Sequence, residues 1–256
     1  VHTDYTLPRM AQSGCLVASS NGLASGNDFA EAVVHGIAEV VERDAMTLWN
    51  QLSEEKTRTT RLDLSSVTSK HCKRLLTMLR KANMAVAVWD ITSDVGLPAF
   101  YCLILDEKRP EGHSGAGAGC HTSSEVALVR AITEAVQVRC NYIAGVRDDL
   151  LPEEYDVTGR DEKKARAEWL ITLGTAEPKA FNAVPTWSND TVNRDLETAV
   201  ERLASVGLDR VICVDLSKTG FDLAVVRIVV PGLEGPDDHP DYAPGPRAEH
   251  KAGLKT

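Results

Sequence analysis

Four residues stand at spacings that could serve divalent-cation chemistry: Asn27, Glu31, Glu39 and Glu42. On a helix turning about 100° per residue, the three glutamates fall within an arc of about 80°, with Asn27 about 40° to one side. Like charges so placed repel unless they are solvated, protonated or bridged by cations. Magnesium takes oxygen ligands and is commonly shared between carboxylates and phosphates. Arg43, just past the arc, could meet the same phosphate oxygens. The same residues also fit a solvated acidic helix face with Arg43 in a surface ion pair, since Glu is a good helix former.

A second polar group lies at Arg130, Glu134 and Gln137, within about 60° on a helix. Arg130 and Glu134 are also an i,i+4 pair that would support a helix locally. Arg139 projects into the stripe of Leu128, Ile132, Ala135, Val136 and Cys140. There it must snorkel or find an anion, whether a structural carboxylate or a phosphate. Gly115, Gly117 and Gly119 lack both the P-loop Lys and the G-x-G-x-x-G spacing, so they read as a flexible connection before a helix. His113 and His121 flank that stretch as loop residues. Nothing local signals Ser/His/Asp or Cys/His catalysis.

The elements that must carry these groups follow from periodicity. Residues 28–52 read as one amphipathic helix capped by Asp28, with Val33, Val34, Ile37, Val40, Val41 and Leu48 as its stripe. A polar connection over 53–61 and a helix over 68–81 come next. Strands over 85–91 and 99–105 are separated by the turn-prone 93–98. A third helix runs from Ser123 or Ser124 to about 144. The charged loop VRDDLLPEEYD ends it, with Pro152 as a stop. Helices over 162–173 and 192–206 precede paired strands at 210–216 and 222–230. From Pro231 onward the composition predicts an extended tail. The order predicts an α+β architecture of mixed sheet and packed helices in one domain spanning residues 1–256.

Composition narrows the function classes. Net charge -9 over 256 residues argues against a general nucleic-acid binder. No run approaches the roughly 20 apolar residues of a membrane span. The six cysteines show no C-x-x-C pair or finger-like spacing, which predicts reduced thiols in a cytoplasmic protein. The opening VHTDYTLPRM lacks a signal-peptide pattern and an initiator methionine, so residues are expected upstream.

The stretch SNGLASGNDFAEAVVHGIAEVVERDA, Ser20 to Ala45, closely resembles the central signature of the YcaO superfamily. Two more stretches agree in order: AITEAVQVRCNYIAGVRDD, Ala131 to Asp149, and VVRIVVPGLEG, Val225 to Gly235. The resemblance implies the YcaO-type layered fold, and ATP with Mg2+ as cofactors held through carboxylates without a P-loop. It implies phosphorylation of a peptide amide oxygen, so that a side chain, a sulfide source or an amine completes an azoline, thioamide or amidine. By motif match, Asn27, Glu31, Glu39 and Glu42 would be metal-site groups and Arg43 a phosphate ligand. Glu134, Gln137 and Arg139 would line or support the nucleotide site.

The family's earlier Ser-x-x-x-Glu-x-x-Glu-Arg motif has no counterpart here, which implies that the N-terminal part of the fold is absent from this chain. The end, PGPRAEHKAGLKT, lacks the Pro-x-Pro-x-Pro run of azoline-forming members. That favours the thioamide branch, partnered by a TfuA-like protein, and PGLEGPDDHPDYAPGPRA resembles TfuA-associated members. A peptide or protein substrate is implied in either case, and a homodimer is a further expectation. The alternatives are an azoline-forming cyclodehydratase of peptide natural-product biosynthesis and a non-catalytic peptide-binding scaffold.

Overall fold

A computed structural model describes residues 19–108, 113–145, 157–174, 177–237 and 242–251. The loop expected over 146–156 lies outside the described residues, as does Cys15. The fold is α+β, as the periodicities predict, and α1 (Phe29–Asn50) is its central element. Asp28 caps α1 by accepting from the Glu31 N–H at 2.9 Å, satisfying one of the donors that every helix start leaves open. Its apolar stripe is buried almost completely: Ala32, Ile37 and Val41 are inaccessible to solvent.

Two antiparallel sheets flank this helix. The first has strand order β1–β8–β7, from Leu23–Gly26, Ala224–Val229 and Ile212–Asp215. The second runs β3–β4–β5, from Met84–Asp90, Ala99–Asp106 and Gly115–Cys120. Helix α1 packs against β1 and β8 and also against β4 and β5, so it links the two sheets. Contact with β8 is close because of Gly36, where a Cβ would lie 2.5 Å from Ile228 Cγ1. A parallel pair, β2 (Leu62–Asp63) with β6 (Lys179–Ala180), lies beside β3, to which Arg61 bridges at Trp89. Among the described residues the other helices are α2 (Glu54–Thr59), α3 (Lys70–Lys81), α4 (Ser124–Ala144), α5 (Val157–Thr172), α6 (Val192–Ala204) and α7 (Pro246–Lys251).

The second sheet separates two apolar clusters. Phe100, Cys102 and Ile104 pack with Leu128, Ile132 and Ala135 of α4 and Leu76 of α3. On the opposite face, Ala87, Trp89 and Leu103 pack with α1 and with Leu170 of α5. This is the alternation of faces that a period of two produces along a strand. Among the described residues, no helix is long and apolar enough to cross a membrane.

Three expectations are corrected. The glycine-rich stretch is not a flexible connection: Gly115–Cys120 is strand β5 in full register with β4. Its glycines are there for contact, since a Cβ on Gly117 would meet the Ala135 nitrogen at 2.3 Å and the Ala131 oxygen at 2.6 Å. Part of the polar connection over 53–61 is helix α2, capped by Ser53. The region after Pro231 is not simply extended. Buried Glu234 accepts from the backbone N–H of Gly245 and Ala248 at 3.0 and 2.9 Å and from the Tyr242 hydroxyl at 3.0 Å. Arg247, at the start of α7, grips Asp44 of α1 at 2.9 Å through two nitrogens, and Asp94 as well. The carboxyl-proximal segment is thereby folded back onto α1.

Candidate nucleotide and metal site

Side chains of α1 and α4 line one cavity at the edge of β5 that is unpaired among the described residues, and there the charged residues collect. A cavity of about 280 Å³ is lined by Glu39, Glu42 and Arg43 from α1 and by Arg130, Glu134 and Gln137 from α4. His35, Thr133 and Ala118 complete the lining. Among the described residues strand β5 pairs only with β4, so its outward N–H groups need other partners. Glu134 Oε2 accepts the Ala118 N–H at 2.7 Å, and Arg130 donates to the Cys120 carbonyl at 3.0 Å. Those bonds fix both side chains at the cavity wall.

The electrostatics are those of a carboxylate cluster short of positive charge. Burial pushes Glu42 up to about 7; Arg43 opposes this, and Glu134 and Glu39 add to it. Glu39 is also raised, by burial first, with Arg43 and Arg227 opposing and Glu134 adding. Arg43 approaches Glu42 no closer than 3.9 Å, too long for a hydrogen bond. His35 is held below its ordinary value by burial and by Arg130, while its ring nitrogen faces the Ser25 carbonyl at 3.3 Å.

The raised values of Glu39 and Glu42, with the Glu134 carboxylate beside them, mark a place where a bound cation would favour the charged forms. Among the described residues, no three or more His, Cys, Asp or Glu side chains converge as a self-sufficient metal site. Magnesium needs no such cluster, since it is held by one or two carboxylates together with waters and substrate phosphates. Glu39 and Glu42 fit that role, and Arg43 and Arg130 fit an anion placed beside the metal.

Five of the eight predicted residues therefore share this cavity: Glu39, Glu42, Arg43, Glu134 and Gln137. Asn27 and Glu31 do not line it. Both the Asn27 backbone N–H and its side-chain amide donate to Glu31 Oε2 at 2.9 Å, closing the start of α1. Arg139 is not brought there either. It lies about 180° around α4 from Arg130, and it pairs with Asp106 of β4 at 3.0 Å. Sequence reasoning missed His35, although it falls about 40° from Glu31 inside the acidic arc. It placed Arg130 on one face with Glu134 and Gln137 but gave it no site role, because the i,i+4 spacing to Glu134 also fits local helix support.

The family model described as YcaO cyclodehydratase, ATP- and Mg2+-binding, matches residues 1–234. An uncharacterised protein in the tfuA 3′ region of Rhizobium leguminosarum bv. trifolii is 33% identical over 223 residues, which is 84% of this chain and 52% of that protein. An uncharacterised protein of Methanothermobacter thermautotrophicus is 32% identical over 237 residues, 89% of this chain and 59% of its own length. The chain thus spans about half the length of the curated relatives it matches. A heterocyclase solved with substrate and cofactor superposes with a TM-score of 0.73 at 29% identity, covering 91% of this chain and 30% of that one. YcaO from Methanopyrus kandleri, bound with AMPPCP and Mg2+, superposes with a TM-score of 0.65 at 26% identity, covering 86% and 56%. Fold, matched residues and relatives agree, and the chain belongs to the YcaO family, whose cofactors are ATP and Mg2+.

Proposed function

We propose that this chain carries the ATP- and Mg2+-dependent activation of a peptide-backbone amide, for conversion of that amide to a thioamide. The observation that carries the reading is the convergence of Glu39, Glu42 and Glu134 with Arg43 and Arg130 on one cavity. An amide oxygen is a weak nucleophile and a poor leaving group. Transfer of the γ-phosphoryl group forms a bond from that oxygen to phosphorus as the bond from phosphorus to the ADP oxygen breaks. A sulfide nucleophile then adds to the amide carbon, and the original oxygen leaves as inorganic phosphate, with the N–H retained. Bound Mg2+ would supply the positive charge that phosphoryl transfer requires.

The protein's own groups have distinct tasks in this reading. Glu39 and Glu42 hold the cation; burial favours their neutral forms, and a bound cation would favour the charged ones. Arg43 and Arg130 neutralise phosphate oxygens as charge moves between them. Glu134, anchored on the Ala118 N–H, keeps the edge of β5 in place beside the reacting groups. Asn27 and Glu31, bonded to each other at the start of α1, and Arg139, paired with Asp106, lie outside this cavity, and their metal-site and nucleotide-site roles rest on the motif match alone.

Thioamide formation is favoured by the relative in the tfuA 3′ region, which also motivates a TfuA-like partner. Azoline formation is the second reading, favoured by the likeness to the heterocyclase. Calorimetry with AMPPCP tests the shared step. Binding is expected only with Mg2+, and Glu39→Ala or Glu42→Ala should weaken it by about 100-fold or more. Unchanged affinity in both variants would reject the assignment. Mass spectrometry of a modified substrate separates the products, since oxygen-to-sulfur exchange marks a thioamide and loss of water an azoline.

A further inference from the structure

The cavity at the carboxylates continues into two more. A second, of about 320 Å³, shares Arg43, Ala118 and Glu134 with it. A third, of about 240 Å³, shares Tyr101, Ala116 and Arg166 with the second. Together they make one trough along β5. Its floor is Ala118 and then Ala116, because the intervening glycines turn the other face of the strand against α4. Alternation of glycine and alanine thus does two jobs. Glycine admits the helix, and alanine leaves the opposite side open.

The trough changes character along its length. One end holds the carboxylates and guanidiniums, and the other is walled by Leu103, Val138, Tyr142 and Leu170. Tyr101, between them, is held by ring packing against Trp49 and Trp89 at 5.5 and 5.9 Å. Those tryptophans are themselves buried, so the wall is preformed.

We propose that the apolar end of this trough receives an uncharged apolar side chain of the peptide substrate, next to the amide that is activated at the carboxylate end. This rests on the function proposed above. An amide held beside Arg43 and Glu134 belongs to a chain whose neighbouring residue must lie somewhere, and the trough offers one continuous direction. Arg166, shared by the middle and apolar cavities, presents only donors, which suits the carbonyl oxygens of an extended backbone. A nucleobase amine would need acceptors, and on the apolar cavity's side chains only the hydroxyls of Tyr101, Ser114 and Tyr142 can accept.

The test uses the full-length protein, without nucleotide, and synthetic octapeptides with a fixed central glycine and one varied neighbour. Retained peptides are separated by size and counted by mass spectrometry. Leu, Met and Phe at the varied position should be retained about tenfold over Asp. Ala116→Leu, which fills the floor, should cut that preference to about twofold or less, and Ala116→Val serves if melting shows the larger residue unfolds the chain. Arg166→Met should lower retention of every peptide by about fivefold and leave the preference alone. Absence of any preference in the unsubstituted protein overturns the proposal. So does a loss of Mg2+-dependent AMPPCP binding in Ala116→Leu as large as its loss of peptide, because a nucleoside then occupies the trough. Loss of AMPPCP binding in the unsubstituted protein would instead sink the phosphoryl-transfer reading, and peptide retention reports separately.

Discussion

Glu42 shows how much one buried carboxyl can govern. A carboxyl whose folded value is raised contributes stability at low pH that is lost as pH climbs from its unfolded value to its folded one. For Glu42 that window runs from about 4.5 to about 7. Metal-free protein should therefore lose stability across it, and beyond about pH 7 this group should add no further slope. Glu42→Gln should remove the decline and raise stability at pH 8 by on the order of 2–3 kcal/mol. Thermal melts in chelator, compared at pH 5 and pH 8, read this directly. Equal slopes in the two proteins would show that Glu42 is not the titrating group. At this scale the sequence was legible where spacing alone decides orientation, as for Glu39, Glu42 and Arg43. Spacing alone did not foretell that the Asn27 amide would donate to Glu31 at the start of α1, outside the cavity. Arg139 was ambiguous because its partner, Asp106, lies on a different element.

Strand β5 gives the lesson for elements. Stripes at helical spacing revealed α1, α3 and α4, because burial there is written in apolar side chains. The run Gly115–Cys120 carries no such contrast, since glycine and alanine differ too little in hydropathy to mark two faces. What makes it a strand is the pairing with β4 and the pressure of α4, both distant in sequence. Gly117→Val should expose this. Its Cβ would collide with the α4 backbone, which cannot move aside as a side chain could. A loss of about 3 kcal/mol or more is expected in urea unfolding, together with a weakened hold of Glu134 on Ala118. A variant of wild-type stability would mean that α4 does not press on β5 as described.

Across the molecule, the part least legible in sequence is the return of the segment around Glu234 and Arg247 onto α1. Prolines, glycines and charges there predicted an extended tail, because ion pairs spanning the chain leave no periodic trace. Asp44 is fully buried, and its carboxylate is met by Arg247 and by the Glu234 N–H. Removing one partner of a buried pair leaves a charge without compensation. Arg247→Ala should therefore destabilise the fold by about 3–5 kcal/mol. Arg247→Lys should recover only part of this, since lysine lacks the two-pronged geometry. Chemical denaturation measures both, and a loss below about 1 kcal/mol would show that the clasp is a surface ornament.

The clasp also sets an order of events. Pro236 and Asp237 wall the middle cavity, and Thr47 on the facing helix donates to the Gly235 carbonyl at 2.7 Å across 188 residues of chain. A ribosome adding about 5–20 residues per second needs roughly 10–40 s to travel that far. Late in that interval the emerging polypeptide has its acidic helix and most of the lining but lacks the wall that Pro236 and Asp237 supply, so the middle cavity closes only once they have emerged.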